Sequence, residues 1–520
     1  MTPGQVQDTL KFPKPVEQPP PAVPVEKQHQ PPPAAAAGRT VQVSQFVFTG
    51  NTLYTQETLA ALLSGYLNKP ITLLDIYEAA DKVTDFYSDH GYTLAAVNVP
   101  PQKLSGGTVR LDISEGVIGM VKVEGTSDAR AYRIMNFLGD TQSGSIYHGP
   151  QLEAGLQNVN QLPGLSARAV VQPGREYGTT DLVIKTEEKP LTGNVFVDNY
   201  GTQAIGQTRV AANVILNNPA RIEDQLNLLV LRSSGGRLQY EYAGYSLPLN
   251  YAATRLNLAY GHARFEVPGS VEGSNDNGKV EVAQPLLRTR TDRLDVSAAV
   301  SRTNSNAEIS GTGLPLSGTS ITLLELNTAY NHVYRNYAVT QLTANIATNF
   351  DHANTAAEVR PVAAKASNAD QRFRLEIDAQ QLQPLVEKYF LLAHLNGEWS
   401  PDPLSNATQY SIGGPQSVRA YATSEVRGDQ GYLAQLTLGR NIDAGPVKFT
   451  GRLFADSGRV FCADASPDCK AESLSSAGVG LDAAWWHLSG KVDYSLPIDP
   501  RTPSDGHHDG RLFGSLFVNF

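Results

Sequence analysis

The sequence predicts an α+β N-terminal region followed by an all-β transmembrane barrel of about 16 antiparallel strands. From residue 193 onward, helical periodicity is absent, and apolar residues alternate with polar or small ones. Strands of a membrane barrel alternate in this way because one face meets lipid and the other faces the lumen. Before residue 193, helical patterns lie between short strand patterns. No run of about 18 apolar residues occurs, so no transmembrane helix is predicted.

Composition and charge narrow the function classes. The chain of 520 residues is 41% hydrophobic and 18% charged. Its formal net charge of −9 argues against nucleic acid as a partner, because nucleic-acid-binding surfaces are basic. Neither a phosphate-binding glycine loop of the Walker type nor a Gly-x-Gly-x-x-Gly motif occurs, so no nucleotide and no other cofactor is expected.

The two cysteines, Cys462 and Cys469, lie close together in the sequence. We expect a disulfide that closes a small loop in an oxidising compartment, and two unrelated thiols are the alternative. No further metal-ligating residues cluster near them, so no metal site is expected.

The first 40 residues contain two kinds of segment. Residues 1–12 favour a short helix, and residues 13–40 are rich in proline. Proline-rich chain adopts extended geometry and cannot build a core, so it acts as a linker. A helix on such a tether can occupy and leave a site, and a tail without a role is the alternative.

Residues 41–118 have the element order β-α-α-β-β. A strand is predicted at residues 43–48, a short helix after Thr55, and a longer helix that begins at Thr72 with Asp75 three residues on, the pattern of a capping box. Strands at residues 94–99 and 108–114 complete the unit. Residues 119–189 repeat this order, with helices at 129–138 and 150–161, so the two units form an internal repeat.

Residues 190–520 carry the barrel pattern, most clearly at 255–261 and 372–378. Long polar connections are predicted at residues 268–277, 304–319 and 351–370, and short ones at 217–222 and 441–447. This asymmetry is typical of external loops and periplasmic turns. A soluble β-sandwich is the alternative, but it rarely needs so many strands.

One long connection, residues 400–430, contains an unusual arginine. Arg419 lies within the segment Gly-Gly-Pro-Gln-Ser-Val-Arg-Ala-Tyr, residues 413–421. Downstream, the alternation places Asp456 on the face opposite Leu453, and therefore in the lumen of a barrel. A loop folded inward would bring Arg419 to Asp456, where a guanidinium and a carboxylate form a forked ion pair of fixed geometry.

Several segments resemble known families. The pieces Gly-Tyr-Thr-Leu-Ala at 91–95 and Val-Arg-Leu-Asp-Ile-Ser-Glu-Gly at 109–116 are similar to POTRA modules, the periplasmic units of outer-membrane translocases. Two such modules, a large barrel, Ser-Val-Arg-Ala-Tyr at 417–421 and Phe454-x-Asp456-x-Gly458 together resemble the two-partner secretion transporters. The chain departs from the family pattern at Ala420, where the family usually has glycine.

The resemblance implies site residues. Arg419 would lie at the tip of an inward loop and pair with Asp456, with support from the rest of the two motifs: Ser417, Val418, Tyr421, Phe454 and Gly458. It also implies that residues 1–12 are a plug helix tethered by residues 13–40, and that the protein lies in the outer membrane with the POTRA modules in the periplasm and lipids around the barrel.

The resemblance further implies a partner and a function. The partner is a large unfolded exoprotein of adhesin or haemolysin type, recognised by its N-terminal secretion domain and secreted through the pore of a monomer without nucleotide hydrolysis. An outer-membrane insertase of the same superfamily is the closest alternative. A passive porin leaves the modules without a role, and an enzyme is not expected because no catalytic constellation is found.

Overall fold

The computed structural model describes residues 30–32, 40–103, 106–176, 178–349, 373–404, 408–463, 470–499, 501, 503–504, 506 and 509–520. The helix and plug predicted at residues 1–12, most of the linker, Cys469 and the connection at 351–370 lie outside these residues. The chain divides into two compact units, one of residues 20–188 and one that contains residues 189–520.

The first module of the N-terminal unit has the predicted element order, with two additional short strands. The elements are β1 (Thr40–Gln42), β2 (Gln45–Thr49), α1 (Gln56–Leu62), the 3-10 turn Ser64–Tyr66, β3 (Pro70–Thr72), α2 (Leu73–Asp89), β4 (Ala96–Asn98) and β5 (Thr108–Ser114). Strand β2 pairs in parallel with β5, and β4 pairs antiparallel with β5, while β1 and β3 form a separate ladder.

Helix α2 begins with the predicted capping box. The Thr72 hydroxyl accepts a hydrogen bond from the Asp75 amide at 3.2 Å, and the Asp75 carboxylate accepts one from the Thr72 amide at 2.6 Å. The backbone N–H and then the hydroxyl of Thr72 hold the pKa of Asp75 below its usual range. The helix buries an apolar face that includes Ile76, Val83 and Tyr87 in the core of the module.

A buried carboxylate, Glu115, ties the loop after β2 to helix α2. Its side chain accepts hydrogen bonds from the amides of Thr52 at 2.8 Å and Leu53 at 2.9 Å, from the Thr52 hydroxyl, and from the Tyr87 hydroxyl at 2.9 Å. Burial and this bond to Glu115 raise the pKa of Tyr87, so its hydroxyl stays a donor. Glu115 is therefore satisfied by donors without a cation.

The second module repeats the order around its own sheet. The elements are β6 (Val117–Glu124), α3 (Asp128–Phe137), α4 (Gly149–Asn160), β7 (Leu165–Pro173) and β8 (Thr179–Glu188). Strand β8 is central, parallel to β6 and antiparallel to β7. The core of the module contains the fully buried residues Ile134, Leu152 and Ile184.

The second unit is a closed antiparallel barrel of 16 strands, which confirms the predicted fold class. Each strand pairs with the next along the chain, and the last pairs with the first. Its strands are β9 (Leu191–Asp198), β10 (Arg209–Asn217), β11 (Gln225–Ser233), β12 (Leu238–Pro248), β13 (Arg255–Val267), β14 (Val271–Arg288), β15 (Asp292–Ile309), β16 (Leu314–Val333), β17 (Val339–Asn349), β18 (Arg374–Pro384), β19 (Tyr389–Trp399), β22 (Gln430–Ala444), β23 (Val447–Phe461), β24 (Glu472–Trp485), β25 (Leu488–Pro497) and β26 (Arg511–Asn519).

Two short strands, β20 (Tyr410–Ile412) and β21 (Val426–Gly428), form a small antiparallel hairpin between β19 and β22. On the barrel wall, exposed apolar side chains alternate with buried ones along a strand: on β23, Leu453 is exposed whereas Phe454 and Asp456 are buried. Among the described residues, no helix combines the length and the apolar character required to cross a membrane.

Two of the predicted long connections are wrong. Residues 271–277 belong to β14, and residues 304–309 and 314–319 belong to β15 and β16, so only residues 268–270 and 310–313 connect strands there. Strands that extend beyond the apolar band have polar surroundings on both faces, so their sequence loses the alternation and looks like a loop. The predicted turn at 441–447 is likewise mostly strand, and only residues 445–446 connect β22 to β23.

Candidate functional site

The inward loop, residues 400–429, leaves β19, forms the hairpin β20–β21 and returns to β22. Between the hairpin strands the backbone turns sharply at Gly413 and Gly414, whose φ angles are 109° and 104°. A Cβ on Gly413 would lie 2.5 Å from the carbonyl oxygen of Ala422. Glycine is therefore required here for both the conformation and the close approach.

Ser417 closes this turn. Its amide donates to the Gly414 carbonyl at 3.0 Å, and its hydroxyl accepts from the Gly413 amide at 3.2 Å. Beyond it, Val418, Ala420 and Tyr421 are completely buried. They belong to a cluster with Leu433, Val460 and Leu474 of the barrel wall.

This cluster places the inward loop inside the barrel. The wall residues that it contacts alternate with exposed apolar side chains such as Tyr432, Leu436 and Leu453. The exposed set faces lipid, so the buried set faces the lumen.

Arg419 and Asp456 form a forked ion pair at the tip of the loop. Arg419 Nη2 lies 2.6 Å from Asp456 Oδ1, and Nε lies 2.8 Å from Oδ2. The Arg419 amide also donates to Oδ2 at 3.2 Å. Arg419 is 5% exposed and Asp456 is 3% exposed, so water screens the pair little and removing either partner leaves a buried charge.

Phe454 and Gly458 shape the wall around the pair. The guanidinium carbon of Arg419 lies 3.4 Å from the Phe454 ring centroid, a cation–π contact. The Phe454 ring in turn covers Gly478, where a Cβ would lie 2.6 Å from Cζ. A Cβ on Gly458 would lie 3.2 Å from two Ile412 carbons, so the absence of a side chain there lets the hairpin approach β23.

Three polar residues complete the site, and sequence reasoning missed all of them. Ser476 donates to Asp456 Oδ2 at 3.0 Å, and Ser495 donates to the Arg419 carbonyl at 2.7 Å. Gln435 donates to the Ser417 carbonyl at 2.7 Å and to Asp456 Oδ1 at 3.3 Å. Strand register is the signal that could have identified two of them, because Gln435 and Ser476 are the direct cross-strand partners of Asp456.

A second forked pair lies elsewhere on the lumen wall. Arg209 Nε is 2.7 Å from Asp198 Oδ1, and Nη2 is 2.8 Å from Oδ2. These two residues are direct partners in the ladder between β9 and β10. Next to this pair, the Tyr200 carbonyl accepts a hydrogen bond from Thr423 of the inward loop at 3.3 Å.

Ala420 does not strain the loop. Among the described non-glycine residues of the inward loop, the left-handed conformation occurs at Ser424, with φ 58°, and not at Ala420. A methyl group is therefore tolerated where the family usually has glycine, and it packs in the buried cluster.

Cys462 follows β23 directly, whereas Cys469 lies outside the described residues. The disulfide between them stays a prediction. Chemically, the site at Arg419 holds a loop by noncovalent bonds that can break and re-form.

Comparison with protein-family models matches residues 178–483 to the family described as haemolysin secretion/activation protein ShlB/FhaC/HecB. Residues 41–116 match the POTRA domain, ShlB-type. The first match spans more than half of the chain, including all the residues of the Arg419 site except Ser495.

Individual relatives agree with these matches. The outer membrane transporter CdiB of Dickeya dadantii (strain 3937) is 24% identical over 466 residues, which cover 87% of this chain and 82% of the relative. The hemolysin transporter protein ShlB of Serratia marcescens is 25% identical over 460 residues, 86% of this chain and 80% of the relative. Among solved structures, CdiB from Escherichia coli has a TM-score of 0.75 at 20% identity and covers 94% of this chain and 93% of that one, a likeness of fold.

Proposed function

The chain belongs to the haemolysin secretion/activation family ShlB/FhaC/HecB and is a two-partner secretion transporter of the outer membrane, and we propose that Arg419 and Asp456 hold its inward loop against the pore wall between secretion events. The family consists of transporters rather than enzymes and works with secreted exoproteins. The single observation that carries the proposal is the buried forked pair between a loop residue and a wall residue.

The strand order supports a position of the inward loop at the external end of the barrel. Strand β9 begins at Leu191, directly after the second POTRA module, which is periplasmic, and successive strands alternate in direction. The segment between β19 and β22 therefore enters the lumen from outside, and a cargo chain that comes from the periplasm meets it on the way out.

The bonds that hold the loop are noncovalent and reversible. Besides the ion pair, those near the tip of the loop include the bonds of Gln435 to Ser417, Ser495 to Arg419 and Thr423 to Tyr200. A typical hydrogen bond contributes about 0.5–1.5 kcal/mol net, and one to a charged group about 1.5–3 kcal/mol. A cargo chain that competes for these groups can release the loop without nucleotide hydrolysis.

The cargo is, in this proposal, an unfolded exoprotein of adhesin or haemolysin type that binds the POTRA modules through its N-terminal secretion domain. The module sheets have the orders β2-β5-β4 and β6-β8-β7. We propose that an extended cargo segment adds as a further strand to an edge of one of these sheets. We propose that the transporter acts as a monomer, with its exposed apolar band in the lipids of the outer membrane. A plug at residues 1–12 is part of the same proposal.

The test is secretion of the N-terminal fragment of the exoprotein whose gene we expect beside this one, in cells with an outer membrane. We expect the fragment in the medium only when the transporter is present. A fragment that stays in the periplasm while the barrel is inserted contradicts the proposal. In that case, loss of other outer-membrane barrels on depletion of the protein identifies an insertase.

A further inference from the structure

A row of polar side chains continues from Asp456 along the lumen wall. Gln435 on β22 is the cross-strand partner of Asp456 on β23, and His394 on β19 is the partner of Gln435. His394 Nδ1 lies 2.8 Å from Gln435 Oε1, and its Nε2 lies 2.6 Å from Asp378 Oδ2 on β18. The row therefore connects the Arg419 site to a carboxylate three strands away.

The contacts of Gln435 fix which way its amide points. One end of the side chain contacts the Ser417 carbonyl and Asp456 Oδ1, and both of these atoms only accept hydrogen bonds. This end is therefore the NH2 group. The carbonyl oxygen Oε1 consequently faces His394 and needs a donor from it.

The contacts of His394 then fix its charge. Nδ1 must carry a proton to donate to Gln435 Oε1. Nε2 must carry one to donate to Asp378, because a carboxylate holds its proton less tightly than an imidazole and Asp378 also accepts hydrogen bonds from Asn396 and Gln380. With both ring nitrogens donating, His394 is an imidazolium cation.

Carboxylates face His394 from two other strands. Asp378 faces it from β18 and Asp456 from β23. Glu376 lies behind Asp378, since the Asn396 amide reaches both carboxylates at 3.2 Å. The other strong cation on this row is Arg419, which the Asp456 carboxylate separates from Gln435 and His394.

We propose that His394 is a positioning residue that holds the inward loop closed only in its protonated form, so that the transporter releases the loop as the pH rises. This inference rests on the proposed role of the Arg419–Asp456 pair. A neutral imidazole has one N–H and can keep the bond to Gln435 or to Asp378, but not both. When Gln435 loses its partner, its amide is free to turn away from Ser417 and Asp456, and the loop loses support on the side of Arg419.

The experiment is single-channel recording of the full-length transporter in planar bilayers, from about pH 5.5 to about pH 8.5, on both sides of the ordinary histidine pKa of about 6.5. For the unsubstituted protein we expect the open-to-closed ratio to rise about 10-fold or more across this range, the loss of one hydrogen bond to a charged group. In His394→Gln the ratio should be high at every pH and its pH dependence should be lost.

Two further variants separate gating from a merely structural role. Asp378→Asn keeps the histidine but removes the carboxylate that stabilises its charge, so the rise should shift to lower pH. His332→Gln is the matched control: His332 also pairs with a carboxylate, Asp292, at 2.7 Å, but its contacts with described residues do not involve the inward loop. It should keep the original pH profile.

A His394→Gln channel with an unchanged pH profile overturns the proposal. So does an original channel whose open-to-closed ratio is independent of pH. Arg419→Ala, recorded in parallel, distinguishes a failure of the proposed role of His394 from a failure of the proposed role of the ion pair. If it opens the channel while His394→Gln does not, the ion pair holds the loop and only the role of His394 fails. If Arg419→Ala has no effect, the proposed holding of the loop fails as well.

Discussion

Two buried Arg–Asp pairs of the barrel, Arg209–Asp198 and Arg419–Asp456, have nearly the same geometry and different attachments. Arg209 meets Asp198 through bonds of 2.7 and 2.8 Å, and Arg419 meets Asp456 through bonds of 2.6 and 2.8 Å. Arg209 and Asp198 face each other across one ladder, so each is held by the backbone pairing of β9 and β10. Arg419 is on a loop, and only its partner is on the wall.

What a buried ion pair does depends on whether its two residues lie on wall strands or on a loop, rather than on its bond geometry. Breaking the pair at Asp198 leaves an unpaired charge buried in the wall, so the wall itself loses stability. Breaking the pair at Asp456 frees a loop, while the ladders of β22 and β23 stay intact. In our proposal, the first pair therefore stabilises the barrel and the second holds its inward loop.

The largest effect is expected at the wall pair. Arg209→Ala leaves the Asp198 carboxylate buried without its cation, which costs about 3–5 kcal/mol. We expect a clear fall in the temperature at which the folded barrel unfolds on semi-native electrophoresis. Arg232→Ala is the control, since its pair with Glu241 is half exposed and such pairs contribute at most about 1 kcal/mol. Equal unfolding temperatures for the two variants would contradict the assignment.

The loop pair should show its effect in gating instead. Arg419→Ala and Asp456→Ala each remove charged hydrogen bonds worth about 1.5–3 kcal/mol, a shift of about 10- to 100-fold in the open-to-closed ratio. Because the two residues act on one bond, the double variant should resemble the single ones. Additive shifts in channel recordings would show that they act independently.

Glu115 extends the comparison to the first POTRA module. All its described donors belong to the same module, so Glu115→Gln should behave like the wall pair and lower stability, by about 1–3 kcal/mol, without a change in gating. Limited proteolysis of the full-length protein measures the first effect and channel recording the second. A change in channel opening at unchanged protease resistance would refute this view.

The smallest effect is expected at Gly458. Gly458→Ala puts a methyl group 3.2 Å from Ile412 carbons and 3.0 Å from the Tyr432 carbonyl, a crowding that costs about 1 kcal/mol. The closed loop should lose a few-fold in occupancy, measured as the open-to-closed ratio. Gly451→Ala on the same strand is the matched control, since nothing lies within 4 Å of its Cβ. A similar ratio in both variants would exclude a role of Gly458 in seating the hairpin.

The parts of this structure that follow from local chemistry could be predicted from the sequence. The capping box at Thr72 and Asp75 depends on residues three apart. Similarly, the inward direction of Asp456 depends only on alternation along one strand. The pairing of Arg419 with Asp456 needed the family resemblance as well, because 36 residues separate them in the chain.

The features that could not be predicted from the sequence depend on strand register and on how far each strand extends beyond the apolar band. Gln435 reaches Asp456, and His394 reaches Gln435, only because three strands pair with particular offsets. Alternation along one strand leaves such offsets open. The extensions of β14, β15 and β16 escaped prediction for a related reason: without lipid on one face, a strand has no apolar period to reveal it.

The most direct test of the central claim is exoprotein secretion by Arg419→Ala and Asp456→Ala at matched levels of inserted barrel. The N-terminal fragment of the exoprotein whose gene we expect beside that of the transporter is measured in the medium. Ions pass around a loosened loop, but secretion needs a loop that cargo displaces from one fixed position and that returns to it, and a loop without its anchor has no such position. We therefore predict reduced secretion by both variants with the barrel intact, and normal secretion by both would contradict the claim that this pair controls the loop.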